Sequence, residues 1–170
     1  MPKISINNIN LYYEKSGQGA PLLFIHGLGS STQDWESQVK EFSKNYQVIV
    51  FDLRGHGQSD KPAGPYSMAL FASDTAGLLN ALGIKSAHIV GISLGGAVAF
   101  QLAIDSPSLV KTLTIVNSAP SLGGTPEQAK AEIDRRVSIV KQMGMRAMGE
   151  ALVPNLFPKP EHEVLRRSFV

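Results

Sequence analysis

The stretch HIVGISLGGAVAF, residues 88–100, decides how the chain is read. It opens with an apolar run of strand type, passes through Gly91-Ile92-Ser93-Leu94-Gly95, and continues into a run of small apolar residues of helical type. Ser93 therefore falls at a predicted strand-to-helix turn. A serine at such a turn is forced into a strained backbone conformation that presents its hydroxyl above the sheet, and flanking glycines let neighbouring backbone approach without a side-chain clash. Gly96 and Ala97 keep the helix start thin. The helix N-terminus also directs its positive end at the place where an oxyanion would form. Ser93 is the candidate nucleophile, and a nucleophilic serine needs a base.

Working outward, the same alternation recurs. Residues 3–14 (KISINNINLYYE) hold two strand-like runs around Asn7-Asn8, which predicts an N-terminal antiparallel hairpin. Apolar strands are then expected at 22–25, 47–52, 88–91 and 113–116, separated by helices near 32–43, 67–82 and 95–105. Strands alternating with helices imply an α/β fold, a doubly wound and mostly parallel sheet buried on both faces. Gly83 and Pro107 supply helix stops at the right places. After residue 120 the rhythm changes. SLGG (121–124) reads as a connector, and Thr125-Pro126-Glu127-Gln128 offers an N-cap, a first-turn proline and a capping-box glutamine for a helix to about Met143. Short helices separated by Pro154, Pro158 and Pro160 are expected beyond it.

Composition narrows the chemistry. Of 170 residues, 43% are hydrophobic and 18% charged, enough for one domain with a packed core. No apolar run approaches the roughly 20 residues of a membrane span, and Met1-Pro2-Lys3-Ile4 opens without a secretory-type apolar segment, so a cytoplasmic protein with no membrane partner is expected. The chain has no cysteine, and His26, His56, His88 and His162 are scattered, so no metal site and no cofactor is expected. A net charge of +2 with interspersed signs gives no stripe for nucleic acid.

Two further loops follow predicted strands. In His26-Gly27-Leu28-Gly29-Ser30-Ser31, the glycines around Leu28 free the backbone to turn an N–H toward the neighbouring strand tip. Acyl transfer needs two such donors, and the amides of Leu28 and Leu94 are the candidates for an oxyanion hole. His26 is read as fixing this loop by hydrogen bonding rather than as the base, and Ser30 and Ser31 as helix caps. The loop Asp52-Leu53-Arg54-Gly55-His56-Gly57-Gln58-Ser59-Asp60 has a glycine pattern reminiscent of dinucleotide binding. Asp60 nevertheless stands where the third glycine belongs, and Lys61-Pro62 follows where a helix should start. A loop ordered by Asp52 and Arg54 side chains is the better reading. His88 and Trp35 are read as core residues.

Together, HGLGSS, DLRGHGQSDKP and GISLGG resemble the α/β-hydrolase superfamily over about residues 4–120. They are most similar to its serine branch, which includes 3-oxoadipate enol-lactonases, bromoperoxidase-like esterases and carbon–carbon bond hydrolases. The segment GPYSMALFASDTAGLLNALGI resembles the enol-lactonases in particular. Haloalkane dehalogenase relatives carry an aspartate at the position of Ser93, which disfavours halide chemistry. The resemblance implies a serine hydrolase acting on a small-molecule ester or lactone through an acyl-enzyme. It implies a core over residues 1–120 and, over 121–170, the start of a helical lid.

In that superfamily the acid and the histidine follow the serine in the chain, on loops after later strands. Here the downstream acids are Asp105, Glu127, Glu132, Asp134, Glu150, Glu161 and Glu163, the only downstream histidine is His162, and none follows a new strand. The expectation is an incomplete fragment of the fold that lacks its last strands, its acid and its histidine. It would be completed by a C-terminal polypeptide or would self-associate through the exposed edge of the strand LTIV. A non-catalytic ligand-binding or receptor protein on the same fold is the alternative.

Overall fold

The computed structural model describes residues 2–119, 125–164 and 166, and the SLGG connector lies outside them. The chain divides into two compact units, residues 1–121 and 122–170. The first unit is built on one sheet with the order β1-β2-β4-β3-β5-β6. Its strands are β1 (Lys3–Ile6), β2 (Ile9–Ser16), β3 (Ala20–Ile25), β4 (Tyr46–Phe51), β5 (Ala87–Ile92) and β6 (Val110–Val116). β1 and β2 form the expected antiparallel hairpin, turning on Asn7 and Asn8 at φ 46° and 60°, the left-handed pair that a two-residue hairpin turn requires. β2 runs antiparallel to β4, and the remaining neighbours are parallel.

The parallel strands are connected by α1 (Glu36–Phe42), α2 (Met68–Ala81) and α3 (Leu94–Asp105). A right-handed crossover from β3 to β4 moves one way along the sheet, whereas β4 to β5 and β5 to β6 move the other, so α1 lies on one face and α2 and α3 on the opposite one. The strand sequences carry both faces at once. In β3, Leu23 and Ile25 pack into the large core with Phe51, Leu78, Ile89, Val98 and Leu102, while Leu22 and Phe24 pack with Trp35, Val48 and Val50 under the other face. This is why β3 and β4 read as continuous apolar runs.

The helix expected over 32–43 forms as a 3-10 turn, Thr32–Trp35, followed by α1. Trp35 is a core residue as expected, its ring centroid 4.7 Å from that of Phe24. His88 is not fully enclosed: it is half-buried, its ring set edge-on to Tyr46 with centroids 6.0 Å apart, and it shares a 2.8 Å hydrogen bond with Thr112 Oγ1.

The hairpin is fastened to the rest of the unit through buried charge. Asp74 on α2 accepts hydrogen bonds from Arg54 Nη2 at 2.7 Å and from Asn7 Nδ2 at 2.8 Å, and the Arg54 Nε also donates to it. Both members of this ion pair are almost wholly buried.

In the second unit, the Thr125 hydroxyl accepts from the Gln128 amide at 3.3 Å while Thr125 N–H donates to Gln128 Oε1 at 2.9 Å, the expected capping box. It opens α4 (Pro126–Leu156), whose course is broken at Gly144, φ 83° and ψ 174°. Pro154 does not separate two helices as expected. It lies inside the last turn of α4, which runs on to Leu156, and by lacking an N–H it forgoes the helical bond to the Glu150 carbonyl four residues before it. Pro160 opens a 3-10 turn, Pro160–His162. No described helix is long and apolar enough to cross a membrane.

Removing Asp74 would strand the Arg54 guanidinium in the core. Asp74→Ala should lower the unfolding free energy of the first unit by about 3–5 kcal/mol, whereas Glu41→Ala, which breaks the exposed pair with Lys44, should change it by less than about 1 kcal/mol. Denaturant melts of the two variants against the parent chain provide the comparison.

Candidate functional site

Crossovers leave β3 and β5 in opposite directions, so the carboxyl ends of these neighbours flank a topological switch point, the place where open α/β sheets form a crevice for ligands. Two of the loops singled out in the sequence meet there. Ser93 stands between the last residue of β5 and the first of α3, at φ 53° and ψ −118°. For a residue with a side chain this is a strained conformation costing on the order of 1–3 kcal/mol. The surroundings hold it in place. Ser93 N–H donates to the Val116 carbonyl on β6 at 3.1 Å, and its own carbonyl accepts from Gly96 N–H at 3.0 Å, Ala97 N–H at 3.2 Å and the Ser118 hydroxyl at 2.7 Å.

The turn can be this tight only because two positions lack a side chain. A Cβ on Gly91 would stand 2.3 Å from the Gly95 carbonyl oxygen, and one on Gly95 would stand 2.1 Å from the Ile25 carbonyl oxygen. Both obstructions are backbone and cannot swing aside. The first turn of α3 is therefore seated against the ends of both β5 and β3. The HGLG loop that leaves β3 comes alongside: a Cβ on Gly27 would lie 3.5 Å from the Ser93 Cβ.

The loop after β3 is held from beneath by its neighbours. His26 is fully buried; its Nε2 accepts from Leu53 N–H at 3.0 Å, and its Nδ1 lies 2.7 Å from the Gly27 carbonyl. With Nε2 accepting, Nδ1 carries the proton and donates to Gly27. Burial pushes the imidazole below its ordinary pKa, against the opposing pull of the Gly27 carbonyl, and the nearby His56 lowers it further. A neutral ring committed at both nitrogens is a strut, as the sequence reading had it. Asp52 acts the same way: Oδ1 accepts from Thr32 N–H and Oδ2 from Gln58 N–H, each at 2.7 Å, and its carbonyl accepts from the Ser59 hydroxyl. With Arg54 tied to Asp74, the DLRGHGQSD loop is ordered by Asp52 and Arg54. No helix starts behind its glycines, since α2 begins only at Met68, so the geometry of a dinucleotide loop is lacking. This strut role of Asp52, reaching back across the sheet to Thr32, was not separable in the sequence from a purely local turn.

Of the candidate site residues, Leu28 exposes 64% of its surface, and neither the Leu28 nor the Leu94 N–H donates to a protein acceptor among the described residues. Ser31 caps the 3-10 turn after the loop, accepting from Gln33 N–H, while Ser30 bonds the Asp34 carboxylate rather than capping. No described side chain hydrogen-bonds Ser93 Oγ. His162 lies in the second unit, its ring set edge-on against Phe157. Among the described residues no cluster of histidines and carboxylates is placed to hold a metal ion.

If the turn stores strain at Ser93, Ser93→Gly should unfold at higher denaturant than Ser93→Ala, by about 1 kcal/mol, although both delete the hydroxyl. Equal stabilities would show that the turn is relaxed.

The chain matches the family model described as alpha/beta hydrolase fold over residues 20–149. It is 31% identical, over 91% of its length and 57% of the relative's, to 3-oxoadipate enol-lactonase 2 of Acinetobacter baylyi. Among solved structures it is similar to a thermophilic esterase from Thermogutta terrifontis, with a TM-score of 0.86, 28% identity and coverage of 99% of this chain and 66% of that one. The enol-lactonase from Burkholderia xenovorans gives 0.84 and 26%, with 99% and 66% covered. The chain spans about half the length of the curated relatives it matches. A family match over most of the sequence, on a sheet whose switch point carries the Ser93 turn, places this chain in the alpha/beta hydrolase fold family.

Proposed function

We propose that this chain carries the nucleophilic half of a serine hydrolase that cleaves a carboxylic ester or lactone through an acyl-enzyme. The observation that carries the reading is the conformation of Ser93, at φ 53° over the switch point, with a hydroxyl that no described side chain engages. Relatives named as an enol-lactonase and an esterase support the substrate class.

Ser93 Oγ attacks the carbonyl carbon and passes its proton to a base. The carbonyl oxygen becomes an oxyanion received by the Leu28 and Leu94 N–H groups, neither of which has a protein acceptor among the described residues. Collapse of the tetrahedral intermediate expels the alcohol, or opens the lactone ring, and leaves the acyl group on Ser93. Water then releases the acid and restores the hydroxyl. Preorganisation is the contribution of the struts: His26 and Asp52 fix the loop bearing Leu28, and the seating of Gly95 fixes the amide of Leu94. The acid and histidine that would activate Ser93 and the water are supplied from outside these 170 residues. Residues 121–170 are, in the same proposal, the start of a helical lid segment, and the setting of the protein is the cytoplasm.

A fluorophosphonate probe separates the parts of this reading. The purified chain should form an adduct on Ser93 alone, slowly, because an unassisted serine hydroxyl is almost fully protonated, while the oxyanion pocket sustains roughly 10³–10⁴-fold acceleration over water. Ser93→Ala should form none. An adduct on another residue would reject the nucleophile, and labelling as fast as that of a complete serine esterase would reject the external base. Ligand binding with no adduct at all would favour the receptor reading.

A further inference from the structure

Besides its glycines, the Ser93 turn is held from the end of β6. The Ser93 amide extends the β5–β6 ladder by one residue, donating to the Val116 carbonyl at 3.1 Å, and two residues further on the Ser118 hydroxyl donates to the Ser93 carbonyl at 2.7 Å. The peptide groups on both sides of Ser93 are thus tied to one short segment. Asn117, between the two contacts, turns at φ 45°, in the left-handed region that asparagine tolerates better than most residues. The approach also needs a gap in α3. A Cβ on Gly96 would stand 2.5 Å from the Ser118 Cβ and 2.7 Å from its Oγ, so the last glycine of GISLGG leaves the slot that Ser118 occupies.

We infer that Ser118 is a positioning residue for the oxyanion hole, fixing the direction in which the Leu94 N–H points. The Ser93 carbonyl and the Leu94 N–H belong to one peptide group, which is trans and planar, so the two bonds point in opposite directions. Whatever fixes the oxygen fixes the hydrogen. Gly96 N–H and Ala97 N–H also donate to that oxygen, at 3.0 and 3.2 Å, but both lie in the first turn of α3 and move with the peptide they hold. Ser118 follows β6, which a parallel ladder joins to β5 from Ala87 to Ile92. Among the described residues it is the donor to this oxygen that comes from outside α3, and it therefore ties the direction of the Leu94 N–H to the sheet.

The inference rests on the roles proposed above for Ser93 and Leu94. A hydroxyl that only stabilised the turn would act on the whole site. One that aims a single amide acts on Leu94 and leaves Leu28, which sits on the loop after β3, as it was.

Labelling by a fluorophosphonate at saturating concentrations tests this. The Ser93 Oγ–P bond forms, fluoride leaves, the hydroxyl proton passes to water, and negative charge builds on the phosphoryl oxygen. Losing an oxyanion donor outright costs about 10²–10³ in rate. Ser118→Ala keeps the donor but aims it less firmly, and should lower the maximal labelling rate about tenfold without changing the half-saturating concentration, since the charge develops only in the transition state. Ser118→Thr, which retains the hydroxyl, should label as the parent does. Amide NMR of the adducts gives a second readout. The Leu94 proton, displaced downfield in the parent adduct, should lose most of that displacement in Ser118→Ala and keep it in Ser118→Thr, with the Leu28 proton unaffected in both. Ser118→Ala labelling at the parent rate, Ser118→Thr as slow as Ser118→Ala, or loss of the Leu28 and Leu94 displacements together would each overturn the positioning role alone. A parent chain that forms no adduct, or whose adduct leaves the Leu94 proton unmoved, rejects the nucleophile or the hole, and this inference with it.

Discussion

Everything distinctive about this chain depends on how closely α3 sits on the sheet. The Gly95 Cα comes so near the end of β3 that a single methyl group would collide with the Ile25 carbonyl, and Gly91 meets the Gly95 carbonyl in the same way. That contact turns the chain within one residue. The residue caught in the turn is Ser93, at a positive φ that few side chains tolerate. Packing, strain and the direction of the hydroxyl are consequences of one steric fact.

The second constraint is the pair of struts beneath the HGLG loop. His26 and Asp52 are buried polar groups whose hydrogen bonds run to backbone, so each one fixes main chain rather than another side chain. They link the loop after β3 to the loop after β4, and Arg54 with Asp74 and Asn7 extends the connection to α2 and the hairpin. A loop that must present an amide rather than a side chain is best held this way, because the groups that position it stay out of the crevice. The wide exposure of Leu28 is in keeping with the proposal that its N–H, and not its side chain, serves the site.

Much of this was legible in the sequence because it is local. Asn7-Asn8 must turn left-handed, Thr125 to Gln128 form a capping box, and GISLG at a strand end permits one tight turn. The alternation of apolar strands and helices gave the doubly wound sheet, and the residues of β3 showed both faces buried. What stayed hidden depends on distant partners. Pro154 reads as a helix boundary, but α4 continues through it to Leu156. His88 reads as core, but it is half-buried between Tyr46 of β4 and Thr112 of β6, partners from other strands that no local pattern encodes. The reach of Asp52 to Thr32 crosses 20 residues and left no local mark.

In the proposed function the Leu28 and Leu94 amides, held by glycine contacts and struts, converge on whatever is bound at Ser93. A boronic acid that adds reversibly to a serine hydroxyl places a negative oxygen at that point, and amide NMR of the chain can locate it. The account predicts that the Leu28 and Leu94 amide protons move downfield on addition of the boronate, more than all others, and that Ser93→Ala abolishes both shifts. Shifts confined to other amides, or shifts that persist in Ser93→Ala, would contradict it.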